Sequence, residues 1–254
     1  MKNLRDSLIR IAMFLLVFVS WMWVLVQPFS EAANLTIIIG AVLLVFPVVW
    51  LGRLLLDADP DPEDAAWLTT LMHAVLMVLF GAALIRAIST YESWRGWVIP
   101  VPLALGFALV LFTGTLAGLS VVNLAARGSG APFGIALSRR LAVDWLYAWT
   151  RNPMVLGTLA FLVALGLWMQ SAYFVLWALL LVSPALLFFV KFFEERELEI
   201  RFGEPYRQYR ARTPMLIPRR PKPPAVSPAR SKPVAKPKSR KRTATKPAKK
   251  RKTK

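Results

Sequence analysis

Cysteine is absent from this 254-residue sequence, and histidine occurs once, as His73. The first absence excludes disulfides, thiolate metal ligands and a cysteine nucleophile. The second excludes a histidine-rich metal centre, so no metal site is expected. Acidic side chains are scarce as well: fourteen stand against thirty-two Lys and Arg, for a net charge of +18. Spread evenly, that charge would suggest a nucleic-acid binder, but it is concentrated at one end. From Arg219 to Lys254 there are sixteen Lys or Arg and no Asp or Glu, which leaves sixteen basic and fourteen acidic side chains elsewhere, a net +2. The body and the tail therefore need separate explanations.

The body is apolar. With 56% hydrophobic residues and ten tryptophans, the chain is too apolar for one soluble domain. Six stretches stand out: Leu8 to Gln27, Ala33 to Leu56, Trp67 to Ile88, Trp97 to Ala125, Met154 to Met169 and Ala172 to Phe193. At about 1.5 Å per residue most of them cross a hydrocarbon core of about 30 Å as helix. The fifth, about sixteen residues, is marginal. Only Gln170-Ser171 separates it from the sixth, so the two read as a tight helical hairpin, either spanning or partly re-entrant. The expected fold is all-α: a polytopic transmembrane bundle of five to six segments ending in that hairpin. The expected regions are N-terminal transmembrane helices over 1–126, a hairpin-bearing region over 127–218, and a tail over 219–254. The tail is Pro, Lys, Arg, Ala, Ser and Thr with too little apolar surface to offset ordering, and is expected to be disordered.

Two readings exist for the first stretch. Lys2, Arg5 and Arg10 precede an apolar run, and Ser30-Glu31-Ala32 resembles a small-residue cleavage site, as in a signal peptide. Its length and two tryptophans favour a retained span. Basic residues sit before the first stretch, between the fourth and fifth at Arg127, Arg139, Arg140 and Arg151, and in the tail. All three places fall inside if six segments cross, so both termini are expected in the cytoplasm, in an integral protein of a bacterial inner membrane. Arg86 and Arg95, flanking a loop on the other side, dissent mildly. The acidic loop from Asp57 to Asp64 reads as a solvated turn.

Asn152-Pro153 marks a break, because the residue before a proline avoids the helical region and proline suits a first helical turn. A helix start there aims its positive end, with Arg151 beside it, at the membrane face and offers a seat for a carboxylate. Gly157, one turn on, allows a helix or a flat ligand to approach closely. A proline-started span with a snorkelling arginine accounts for the same residues. The hairpin brings Glu194 and Glu195 back to the face that holds Arg151. There they pair with it, or accept hydrogen bonds from a ribose or an amine. An exit helix in which Glu197 and Arg201 pair at i,i+4 is the plainer alternative. His73 and Asn123 read as helix-packing residues, and the tryptophans near span ends read as interfacial anchors.

Four pieces in order carry a family likeness: Gly128-Ser129-Gly130-Ala131-Pro132-Phe133; Tyr147 and then Arg151-Asn152-Pro153-Met154 through Gly157; Glu194-Glu195 with Leu198; and Phe202-Gly203-Glu204-Pro205-Tyr206 with Tyr209, ending at Ile217-Pro218. Across about Arg127 to Pro218 the sequence resembles the isoprenylcysteine carboxyl methyltransferase and phospholipid methyltransferase superfamily, in its bacterial membrane form. The resemblance implies S-adenosylmethionine-dependent methyl transfer at the cytoplasmic membrane face, with 127–218 as the cofactor-binding region. It implies that Arg151, Asn152, Leu156, Gly157, Glu194 and Glu195 contact the cofactor, with Arg151 and Glu195 nearest the chemistry. Tyr147, Tyr206 and Tyr209, with Arg207, would cover the cofactor or the acceptor. A sulfonium methyl is already activated, so such a protein mainly excludes water, aligns the acceptor and removes a proton. Members commonly carry Gly-Pro-Tyr-Arg where Trp145-Leu146-Tyr147-Ala148 stand, an aromatic where Val155 stands, and often His in place of Asn152. A degenerate, non-catalytic member is the alternative these departures raise.

The acceptor is expected to be lipid-like: a lipid amine, a small amphiphilic carboxylate or another nucleophile entering from the bilayer. The tail is expected to bind anionic lipid headgroups at about 1 kcal/mol per basic residue near the surface. Nucleic acid is less favoured, since no aromatic follows Tyr209 to stack bases. The competing class is a membrane scaffold whose tail gathers anionic lipid or nucleic acid.

Overall fold

Apolar runs of this length leave the backbone no hydrogen-bond partner but itself, so they fold as helices. A computed structural model of the chain describes residues 2–128 and 140–221. Among these, α1 is Lys2–Val26, α2 Glu31–Ala58, α3 Pro62–Ser89, α4 Leu103–Gly128, α5 Leu146–Trp149 and α6 Pro153–Trp168. Next come α7, the long helix Ala172–Phe202, and α8, Glu204–Arg212. No strand occurs among the described residues, only an isolated bridge between Val98 and Ser171. Five helices (α1, α2, α3, α4 and α7) are long and apolar enough to cross a membrane, and α6 is a shorter apolar helix of 16 residues. The all-α bundle with a C-terminal hairpin is therefore what the chain builds. Ser129 to Phe133, Arg139 and the tail beyond residue 221 lie outside the described residues.

Helix boundaries follow local chemistry. Pro100 and Pro102 keep the fourth apolar stretch out of helix until Leu103, later than Trp97. The acidic loop is more than a wet turn, because Asp61 caps α3 by accepting from the amides of Glu63 and Asp64 at 2.8 and 3.2 Å. Asp57 receives Arg196 of α7 at 2.8 Å. The first stretch is built into the bundle: Arg10 donates to Thr70 at 2.7 Å, and the Trp21 indole donates to the Met77 carbonyl at 2.8 Å. The sixth stretch does not end at Phe193 but continues as helix to Phe202.

One end of the bundle is tied by the α6–α7 turn. Gln170 donates to the Val101 carbonyl at 2.9 Å and accepts from Arg95 at 3.1 Å, while Ser171 donates to the Arg95 carbonyl at 2.9 Å. The same end holds Arg86, buried, donating to Asn34 at 2.8 Å and to the Val24 and Gln27 carbonyls at 3.1 and 3.4 Å. The opposite end collects the α6 start and the last turns of α7.

Candidate functional site

Pro153 opens α6 at its first turn, and Asn152 precedes it with an extended φ of −128°. The Asn152 side chain does not cap the helix. Its amide donates to the Met215 carbonyl at 2.9 Å, Thr150 donates to the same carbonyl at 3.0 Å, and the Arg151 amide donates to Pro214 at 2.9 Å. The segment 214–219 thus straps the α6 start and is fixed again where the Arg219 amide meets Trp149 at 3.0 Å. Leu156 stands half-buried one turn into the helix. A Cβ on Gly157 would lie 2.8 Å from the Cα of Ala117, so the close approach this glycine allows is that of α4.

The hairpin brings Glu195 to Arg151: Nη1 lies 2.8 Å from Oε1, with both side chains buried. The pair is off the line a hydrogen bond needs. Arg151 Nε and Glu195 Oε1 both lack a hydrogen-bond partner in the protein. The other oxygen of Glu195 accepts from Lys191 at 3.0 Å. Tyr206, buried, sets its hydroxyl 3.5 Å from Arg151, and the Tyr209 hydroxyl donates to the Tyr147 carbonyl at 2.7 Å. Burial pushes all three phenols well above their ordinary range, and Glu195 adds to the effect at Tyr206, so all three stay protonated. Gly203, at φ +57°, breaks α7 from α8 and turns these tyrosines back over the site. Arg207 points away, exposed and paired with Glu204 at 2.9 Å, and the Glu197–Arg201 pair forms at 2.6 Å.

Glu194 goes elsewhere. The backbone from Val190 to Glu194 is a π turn, in which the Glu195 amide donates to the carbonyl five residues back. At α pitch, five residues rotate a side chain by about 140°. The wider turn instead returns Glu194 to the face of Leu186 and Phe189, where it borders a cavity of about 310 Å³. Two adjacent carboxylates thereby face different surroundings, one an arginine and the other an apolar space. That space lies among α1, α3, α6 and α7, with Trp21, His73, Met154, Leu162 and Trp177 in its walls. Nothing in the sequence marks the π turn or the cavity, and the lone histidine read there as packing is part of the wall.

The departure at Trp145 is partly conformational. Its φ of +57° and ψ of −123° belong to a region glycine occupies freely, so the glycine-like turn persists with tryptophan on it. Asn123, buried, fixes that turn by accepting from the Leu146 amide at 3.1 Å.

A family model described as phospholipid methyltransferase matches residues 101–205, the stretch that runs from the start of α4 through the hairpin to α8. Methanethiol S-methyltransferase 2 of Bradyrhizobium diazoefficiens is 34% identical over 132 residues, which cover 50% of this chain and 44% of that protein. The chain therefore matches less than half the length of this relative. No solved structure matches. These findings support the likeness carried by the Arg-Asn-Pro, Glu-Glu and Gly-Glu-Pro-Tyr pieces: over residues 101–205 the chain is similar to the phospholipid methyltransferase family.

Proposed function

We propose that the protein transfers a methyl group from S-adenosylmethionine to a lipid-like or amphiphilic acceptor at the cytoplasmic face of a bacterial inner membrane, with both termini on that side. One observation carries the reading: Arg151 Nε and Glu195 Oε1 lack a hydrogen-bond partner, and the neighbouring Glu194 stands in the wall of an apolar cavity. Buried polar atoms without partners are costly, and they fit a ligand bearing a carboxylate, an ammonium and hydroxyls. Arg151 would take the carboxylate, while Glu195 would take the ammonium or a ribose hydroxyl. Asn152 and Leu156 would border the same ligand at the α6 start, and Gly157 would serve by keeping that start tight on α4. Tyr147, Tyr206 and Tyr209 would form the cover.

The sulfonium supplies an activated methyl when the donor is bound. The chain's own work is to exclude water, to hold the acceptor in line and to accept a proton. Glu194 stands at the boundary between the donor seat and the cavity, where it meets an acceptor entering from the bilayer. The relative's name gives a thiol as methyl acceptor, and a sulfur nucleophile suits this apolar entry. The tail after Pro218 would add attraction to anionic lipid headgroups rather than to nucleic acid.

Calorimetric titration of detergent-solubilised protein with S-adenosylmethionine tests the reading. Binding is expected in the wild type and should be lost in Glu195→Ala, and a chain ending at Pro218 should retain it. No binding in the wild type would leave a membrane scaffold, and unchanged binding in Glu195→Ala would remove this site.

A further inference from the structure

We infer that the cavity takes the methyl acceptor as a neutral, single-tailed amphiphile whose hydroxyl or thiol proton is received by Nε2 of His73. The inference rests on the methyl-transfer reading and names the substrate class of that site.

The walls are ordered from polar to apolar. Glu197 of α7 hydrogen-bonds Thr69 of α3, which sets the register of the two helices. One turn further in, His73 faces Phe189 edge-on at 5.3 Å, and Glu194 lies on the α7 wall at a similar depth. Beyond them the lining is apolar as far as Leu84, Leu162 and Trp177. A molecule lying along this space has its polar end at His73 and Glu194, beside the Arg151–Glu195 pair, and its tail within the bundle.

His73 is committed on one side only. Its Nδ1 lies 2.8 Å from the Thr69 carbonyl, which only accepts, so Nδ1 carries the proton. In the neutral ring Nε2 is then a bare acceptor, and it has no partner among the described residues. It is suited to a ligand that donates. A carboxylate head would meet Glu194 in a lining that holds no Lys or Arg, and an ammonium has no lone pair with which to attack. A cavity of about 310 Å³ lies at the small end of ligand pockets, which suits one short tail.

The step then balances. The acceptor's oxygen or sulfur bonds the methyl carbon as the donor's carbon–sulfur bond breaks, and the bonding pair goes to the donor sulfur, which loses its positive charge. The O–H or S–H pair stays on the acceptor while its proton passes to Nε2, and the imidazolium across from Glu194 takes up the charge.

His73 is the sole histidine of the sequence, so ¹⁵N-histidine labelling reads the site without assignment. Full-length protein, purified through a histidine-free tag in nanodiscs without methyl donor, is titrated with 4-hexylphenol, its methyl ether 4-hexylanisole, and 4-hexylbenzoate. The phenol is expected to move the Nε2 resonance and leave Nδ1 in place, whereas the ether and the benzoate do not. Leu162→Trp, which fills the cavity, should abolish the effect. By equilibrium dialysis His73→Phe should bind the phenol about tenfold more weakly and the ether equally, the loss of one hydrogen bond. An Nε2 signal unmoved by the phenol, moved equally by the benzoate, or still moving in Leu162→Trp would overturn the proposal. Donor binding by calorimetry separates the two readings. A phenol response in a protein with no donor affinity keeps the pocket and removes methyl transfer, and donor affinity with a silent Nε2 does the reverse.

Discussion

Two buried arginines sit at opposite ends of this bundle and are treated differently. Arg86 donates to Asn34 and to two backbone carbonyls that end α1, and its guanidinium lies 5.2 Å from the Phe29 ring centre. Arg151 faces one carboxylate and leaves Nε unpartnered. The first arrangement is closed and holds three chain segments together, while the second leaves one donor without a partner. Both are shielded from solvent, and they differ in how fully the chain itself satisfies their donors.

Substitutions make the contrast measurable. Arg86→Met should have the largest effect on the fold, lowering stability by about 3 kcal/mol because Asn34 and two carbonyls lose their donor, with donor affinity unchanged. Thermal unfolding in detergent beside calorimetry with S-adenosylmethionine would show whether the two readouts separate this way. Arg151→Lys should do the opposite, weakening the donor about tenfold to a hundredfold through the lost fork of donors while unfolding moves by less than about 1 kcal/mol. A large stability loss there would make Arg151 a second Arg86. Gly157→Ala falls between, costing about 1 to 3 kcal/mol as the new methyl meets the Ala117 backbone, and shifts unfolding more than donor affinity. Trp145→Gly is the smallest change and runs the other way. Relief of a positive φ, less the added freedom of the unfolded chain, should stabilise by about 1 kcal/mol, read as a raised unfolding midpoint.

Much of this was legible in residue order. Apolar length gave the helices, Asn152-Pro153 gave the α6 start, and a two-residue turn between apolar runs required Arg151 and Glu195 to share one end. What sequence could not supply depends on backbone phase and on unfilled space. Val190 to Phe193 reads as ordinary helix, so the divergence of Glu194 from Glu195 had no signal. The resemblance gave Asn152 as a cofactor contact, and nothing in residue order foretold that its side-chain amide donates to Met215, sixty-three residues away. A cavity is what three or four helices fail to fill, and no single segment records it. His73 looked like packing because a lone histidine among apolar residues looks the same whether Nε2 meets a wall or a void.

The π turn before Glu195 means that one continuous rod carries two angular settings. The portion before the turn packs against α2, and the portion beyond it is rotated so that Glu197 meets Thr69 of α3 and Glu195 meets Arg151. α7 holds a π turn at Ala178–Val182 as well, and the surplus residue of the second turn uncouples the aim of the acidic pair from the length of the helix bearing it, so either can change while the other is kept.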